Sequence, residues 1–188
     1  MAELYQKWYS SAMAVYGELY EIAVDKHYLV TTEDAADLGI PVVELAKLAH
    51  RGKLEHISRG LYRLSQYVPS ETDSYAIAVA RFGRGAYLYG ESVIAMLGLA
   101  PTNPDYICVA VPKRTRRSLP DSIRVYRVQA DDEVTVYEGV PAQTVVAAIK
   151  SARTTMMDER LQEAAETAHQ QGYITTSAFQ VLKGEMGW

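Results

Sequence analysis

The sequence predicts an α+β protein in two parts: an N-terminal pair of helices closed by a β-hairpin, then a mixed α/β domain with a helical end. Three observations predict it. Apolar residues recur at spacings of three and four through the first fifty positions, two short strand-like runs around a glycine follow directly, and single strands alternate with helical patterns after a polar, proline-containing stretch near residue 70. The boundary is expected at that stretch, giving an N-terminal domain over 1–68 and a C-terminal domain over 69–188.

Leu4, Trp8, Ala12, Val15, Leu19 and Ile22 mark one face of a first helix, expected in two pieces because Gly17 costs about 1 kcal/mol relative to alanine in a helix interior. Tyr5, Tyr9, Tyr16 and Tyr20 form a second stripe, serving either core packing, the commoner use of such a stripe, or homodimerisation. Thr31-Thr32-Glu33-Asp34 supplies a cap and acids for a short helix that runs to Leu38. Gly39-Ile40-Pro41 then turns the chain into a second helix, about Val42 to Arg51, with Leu45, Leu48 and Ala49 inward and Val43, Glu44, Lys47, His50 and Arg51 toward the other side. Lys53 to Ile57 and Leu61 to Leu64 flank Ser58-Arg59-Gly60 as a hairpin. A hairpin directly behind a helix-turn-helix is a wing.

The C-terminal part reads as helices at about 74–82 and up to Gly98, and a buried strand from Tyr106 to Val111. Strands near 123–128 and 134–137 follow, then helices at about 141–152, 158–171 and 175–182. The single cysteine, Cys108, lies in the apolar strand and reads as a small buried residue. No run is long and apolar enough for a membrane span and no signal stretch opens the chain, so the expectation is a cytoplasmic protein with no membrane partner.

Net charge is −4, which leaves nucleic-acid contact to local patches. Between Leu29 and Gln66 five bases balance five acids, but from Lys47 to Arg63 only Glu55 opposes Lys47, Arg51, Lys53, Arg59 and Arg63. A second helix of this kind fits the major groove, so Thr32, Val43, Glu44, Lys47, His50, Arg51, Arg59 and Arg63 are the expected contacts with double-stranded DNA, Arg59 at the wing tip among them. A second basic cluster, Lys113, Arg114, Arg116 and Arg117 with Arg124 and Arg127, suits DNA phosphates, an RNA or an acidic protein.

No phosphate-cradling loop, metal-binding histidine pair or nucleophile elbow appears, so no enzyme, metal or cofactor is expected. Asp121 followed by Asp132-Glu133-Val134-Thr135 approaches a metal-dependent nuclease motif, but Thr135 stands where a lysine is needed, and Asp131-Asp132-Glu133 reads as a solvated turn.

The run from Val30 through Ile40, Leu45-Ala46-Lys47-Leu48, Arg51-Gly52-Lys53-Leu54 and Ser58 through Leu64 resembles the winged helix of the AbiEi family of antitoxins. Tyr89 through Leu99, Val109-Ala110-Val111-Pro112 with Arg116-Arg117, and Tyr137-Glu138-Gly139-Val140-Pro141 resemble that family's C-terminal domain. The resemblance implies an antitoxin of a toxin-antitoxin or abortive-infection pair used in phage defence. Such a protein represses transcription by binding its own promoter repeats and neutralises a nucleotidyltransferase-like toxin. One departure stands out: many relatives follow the Gly-x-Pro turn with an arginine and an aspartate, where Thr144 through Ser151 carry alanine and serine. The alternative reading is a winged helix that binds protein, or a transcription regulator unrelated to a toxin.

Overall fold

The structure is a computed structural model that describes residues 2–188 apart from 114 and 116–118, with side chains described from Met13 onward. The chain forms two compact units, one ending at Arg84 and one beginning at Gly85. The expected boundary near 68 therefore falls sixteen residues early, because the helix after the polar stretch is held by the N-terminal unit.

In that unit the first helix, α1, is continuous over Ala2–Ala23. The two pieces expected at Gly17 are one: nothing lies near that glycine, and burial of Leu19 and Ala23 offsets its small local cost. Strand β1 (Leu29–Thr31) leads into α2 (Thr32–Asp37) and α3 (Val42–His50). Strands β2 (Leu54–Ser58) and β3 (Leu61–Leu64) form the wing, and the sheet order is β1-β3-β2, antiparallel throughout. Helix α2 begins with a capping box: the Asp34 amide donates to Thr31 Oγ1 at 3.0 Å and the Thr31 amide donates back to Asp34 Oδ2 at 2.8 Å. Such a cap contributes about 1 kcal/mol.

The core of this unit gathers Leu19, Ala23, Val30, Ala35, Ile40, Leu45, Leu48, Leu54, Tyr62 and Leu64, with Tyr16 and Tyr20 packed against it. The described half of the tyrosine stripe thus serves the core; the side chains of Tyr5 and Tyr9 lie outside the described residues. His27 and Tyr28 take left-handed conformations between α1 and β1, which costs bulky residues about 1–2 kcal/mol each. Tertiary bonds hold them there: His27 Nδ1 lies 2.9 Å from Asp73 Oδ1, and the Tyr28 carbonyl accepts from the Leu64 amide at 2.9 Å. Asp73 opens α4 (Asp73–Ala80), so this pair keeps α4 with the winged helix.

The second unit is built on a five-stranded mixed sheet. Its strands are β4 (Tyr87–Leu88), β5 (Ile107–Val111), β6 (Ile123–Arg127), β7 (Val134–Tyr137) and β8 (Val140–Gln143), in the order β6-β5-β4-β8-β7. Helices α5 (Glu91–Met96), α6 (Val145–Ser151), α7 (Asp158–Gln170) and α8 (Thr176–Met186) complete it. The helix expected from Pro141 instead begins at Val145, capped by Thr144. Pro141 sits in β8 opposite Val136, after a two-residue Glu138-Gly139 turn in which both φ angles are positive. That is the turn geometry that matches strand twist. Pairing with β4 and β7 decides the segment against the helical start that proline alone suggests.

Asp132 is not the solvated residue expected. The Tyr87 hydroxyl donates to it, the Gln129 amide donates to Oδ2 at 3.0 Å, and the Gln143 Nε2 donates to Oδ1 at 2.6 Å. Gln143, fully buried, also accepts from the Gly90 amide at 2.9 Å and donates to Ser151 Oγ at 3.0 Å. Ser151, in the run that departs from the family pattern, thus belongs to a polar network under the sheet. Asp131 and Glu133 are exposed as expected.

Cys108 is buried as its sequence context predicts, and burial pushes its thiol above the usual range. The Tyr126 hydroxyl is pushed from its ordinary 10.0 up to about 12, first by burial and then by the neighbouring Cys108. The folded chain holds these protons more tightly than the unfolded chain, so the stability these two groups contribute is fully present below about pH 9 and is lost as pH rises toward about 12. Urea unfolding across that range shows the decline, and Tyr126→Phe makes it shallower; an alkaline decline with the same slope in that variant contradicts the assignment.

Candidate nucleic-acid interface

Two buried leucines, Leu45 and Leu48, fix the rotation of α3. With 3.6 residues per turn, their inward placement leaves Val43 and His50 on the side most directly opposite, flanked by Ala46 and Lys47, with Val42 and Arg51 at the margins. Val43, Ala46, Lys47, His50 and Arg51 are all exposed. Gly39, with φ of +70°, makes the turn that presents this helix, and the Ile40 amide bonds the Ala35 carbonyl at 2.8 Å across it.

The outward face is not uniformly basic. Lys47 Nζ donates to Glu44 Oε1 at 2.6 Å, an i,i+3 pair that is partly exposed. Glu44 therefore holds Lys47 in the unbound protein and offers a carboxylate suited to a cytosine amino group. The acids of α2 are engaged elsewhere: Arg84 donates its amide to Glu33 at 3.0 Å and its guanidinium to Asp37, while Lys26 pairs with Asp34 at 3.4 Å. The Asp37 partnership raises the Arg84 pKa further above its ordinary value.

The wing turn is tied to the helix-turn-helix through Thr32, whose amide donates to the Gly60 carbonyl at 2.9 Å. Gly60 has φ of +77°, and a β-carbon there would come within 3.1 Å of Thr32 Oγ1. Thr32 is thus a link between α2 and the wing, and Arg59 stands exposed at the tip beside it.

Arg63 differs from the other expected contacts. Its side chain is only 11% exposed and is shared among Glu55 at 3.0 Å, Asp73 at 3.7 Å and the Tyr67 ring, whose centroid lies 3.6 Å from the guanidinium carbon. It joins the wing to α4 rather than facing solvent. Lys53 likewise lies over the Tyr16 ring, 5.9 Å from its centroid.

The second basic cluster is not assembled into one patch among the described residues. Arg124 and Arg127 are both exposed on β6, but their odd separation puts them on opposite faces of the strand. Arg124 rests on the Tyr106 ring at 3.3 Å. Lys113 is exposed beyond β5. Arg114, Arg116 and Arg117 lie outside the described residues. Among the described residues, no group of three or more histidine, cysteine or acidic side chains is placed to hold a metal, and no helix is long and apolar enough to cross a membrane.

A helix-turn-helix whose second helix presents an exposed polar and apolar face, bordered by a hairpin with an arginine at its tip, defines a winged-helix module. Comparison adds the family that this segment resembles: residues 18–65 match a family described as "Transcriptional regulator, AbiEi antitoxin". No curated protein matches the chain. Among solved structures it is similar to the RV2827C protein from Mycobacterium tuberculosis, at 19% identity and a TM-score of 0.40, covering 87% of this chain and 78% of that one.

The two arginines of the wing separate by their surroundings. Replacing Arg63 with alanine removes a largely buried ion-pair partner, and urea unfolding is expected to show a loss of about 2 kcal/mol. Arg59→Ala is expected to change stability by less than about 0.5 kcal/mol. Equal effects on stability would contradict these placements. Gly60→Ala, which combines positive φ with the approach to Thr32, is expected to cost about 1–2 kcal/mol in the same measurement.

Proposed function

We propose that this protein is the antitoxin of a toxin-antitoxin pair, that it binds repeats in its own promoter through the winged helix, and that it represses transcription there. The observation that carries the reading is the outward face of α3, with Val43, Glu44, Lys47, His50 and Arg51 presented beside Arg59 of the wing. The family match to transcriptional regulators covers these same residues. In this reading α3 enters the major groove, Lys47 exchanges Glu44 for DNA, and Arg59 reaches a phosphate or the minor groove. Thr32 and Arg63 hold the wing in place. Neutralisation of a nucleotidyltransferase-like toxin is assigned to the second unit on the family resemblance, with the sequence cluster Lys113, Arg114, Arg116 and Arg117, and Arg124 and Arg127 separately, as candidate basic contacts toward toxin or nucleic acid. No catalysis is assigned to the chain.

The test is a titration of the full chain against a labelled duplex from upstream of its own coding sequence, beside a scrambled duplex, at several salt concentrations. Preferential binding that weakens with salt is expected, with Arg59→Ala lowering the salt slope by about one and weakening binding to all sequences alike. Equal affinity for both duplexes contradicts the repressor function and turns the reading to a winged helix that binds protein. Co-expression with a nucleotidyltransferase-like toxin tests neutralisation separately.

A further inference from the structure

The first turn of the outward face of α3 is apolar. Val42 and Val43 are 52% and 56% exposed, and Ala46 lies exposed one turn on from them. Two exposed valines at the start of a helix are not needed by the core, which Leu45 and Leu48 supply from the opposite side. The patch is three small side chains, far below the roughly 800 Å² per partner that a stable protein interface buries. Its borders are Lys47, His50 and Arg51, a setting that complements a polyanion rather than an apolar protein face. Within the major groove the one apolar group on a base edge is the 5-methyl of thymine, and the N-terminal residues of a recognition helix are those that meet base edges.

We infer that Val43, with Ala46 beside it, reads thymine 5-methyl groups, so that each bound repeat holds at least one thymine recognised by its methyl rather than by hydrogen bonds. The inference rests on the DNA-reading function proposed above and adds the chemical group that is read. Val43 is a specificity-determining residue in this reading, and Arg59 at the wing tip supplies affinity without sequence preference.

The experiment replaces each thymine of the promoter duplex in turn with deoxyuridine, which removes the methyl and keeps the pairing and the hydrogen-bonding edge. Binding of the full wild-type chain is expected to weaken about fourfold at one or two positions per repeat, the effect of losing one buried carbon, and to be unchanged elsewhere. In Val43→Ala, an exposed change that leaves the core untouched, the same replacements are expected to have less than about a twofold effect. Strong preference for the promoter duplex with no thymine sensitive to demethylation overturns this inference alone. Sensitivity that persists in full in Val43→Ala also overturns it. Absence of any preference for the promoter over the scrambled duplex overturns the DNA-reading function and this inference with it.

Discussion

Burial of Leu45 and Leu48 is the constraint on which the functional surface depends. Each is nearly fully removed from water, contributing about 2 kcal/mol, and neither can turn outward without emptying the centre of the N-terminal core. Once they point inward, the helical period leaves no choice about what points outward: Val43 and His50 at the centre, Ala46 and Lys47 beside them. The face that meets a partner is therefore set by the residues that do not.

A second set of interactions decides which charges are available. Asp73 binds His27 and Arg63, and Arg63 continues to Glu55 and Tyr67, so one acid joins the strained turn after α1, the wing and α4. Arg84 meets Glu33 and Asp37 at the end of the same unit. These contacts place the end of the first unit at Arg84 rather than near 68 and withdraw Arg63 from solvent. They also offset the acids of α2, while Arg59 stands exposed at the wing tip beside the proposed DNA side.

Much of this unit was legible because its signals are local. Threonine and aspartate three residues apart make the cap of α2, Gly39-Ile40-Pro41 makes the turn, and the spacing of Leu45 and Leu48 gives the rotation of α3. What was not legible is tertiary. What separates Arg63 from Arg59 is tertiary: Glu55 across the hairpin, the Tyr67 ring and Asp73 of α4 converge on Arg63 and none of these contacts is written in a local pattern. Strands β1 and β4, of three and two residues, are too short to carry a period. For β8, Pro141 gave a signal for a helix start that pairing with β4 and β7 overrides, although the Glu138-Gly139 loop between β-rich runs is a hairpin cue. The buried network of Tyr87, Asp132, Gln143 and Ser151 joins residues far apart in the chain, so Asp132 looked like one acid in an exposed acidic turn.

In the function proposed here α3 and the wing tip, rather than the second unit, recognise the promoter. Amide chemical-shift mapping on adding the promoter duplex tests it most directly. The largest changes are expected within residues 41–51 and 58–60, with smaller ones in the buried strands that support them. Changes confined to residues after Gly85, with α3 and the wing unperturbed, would contradict it.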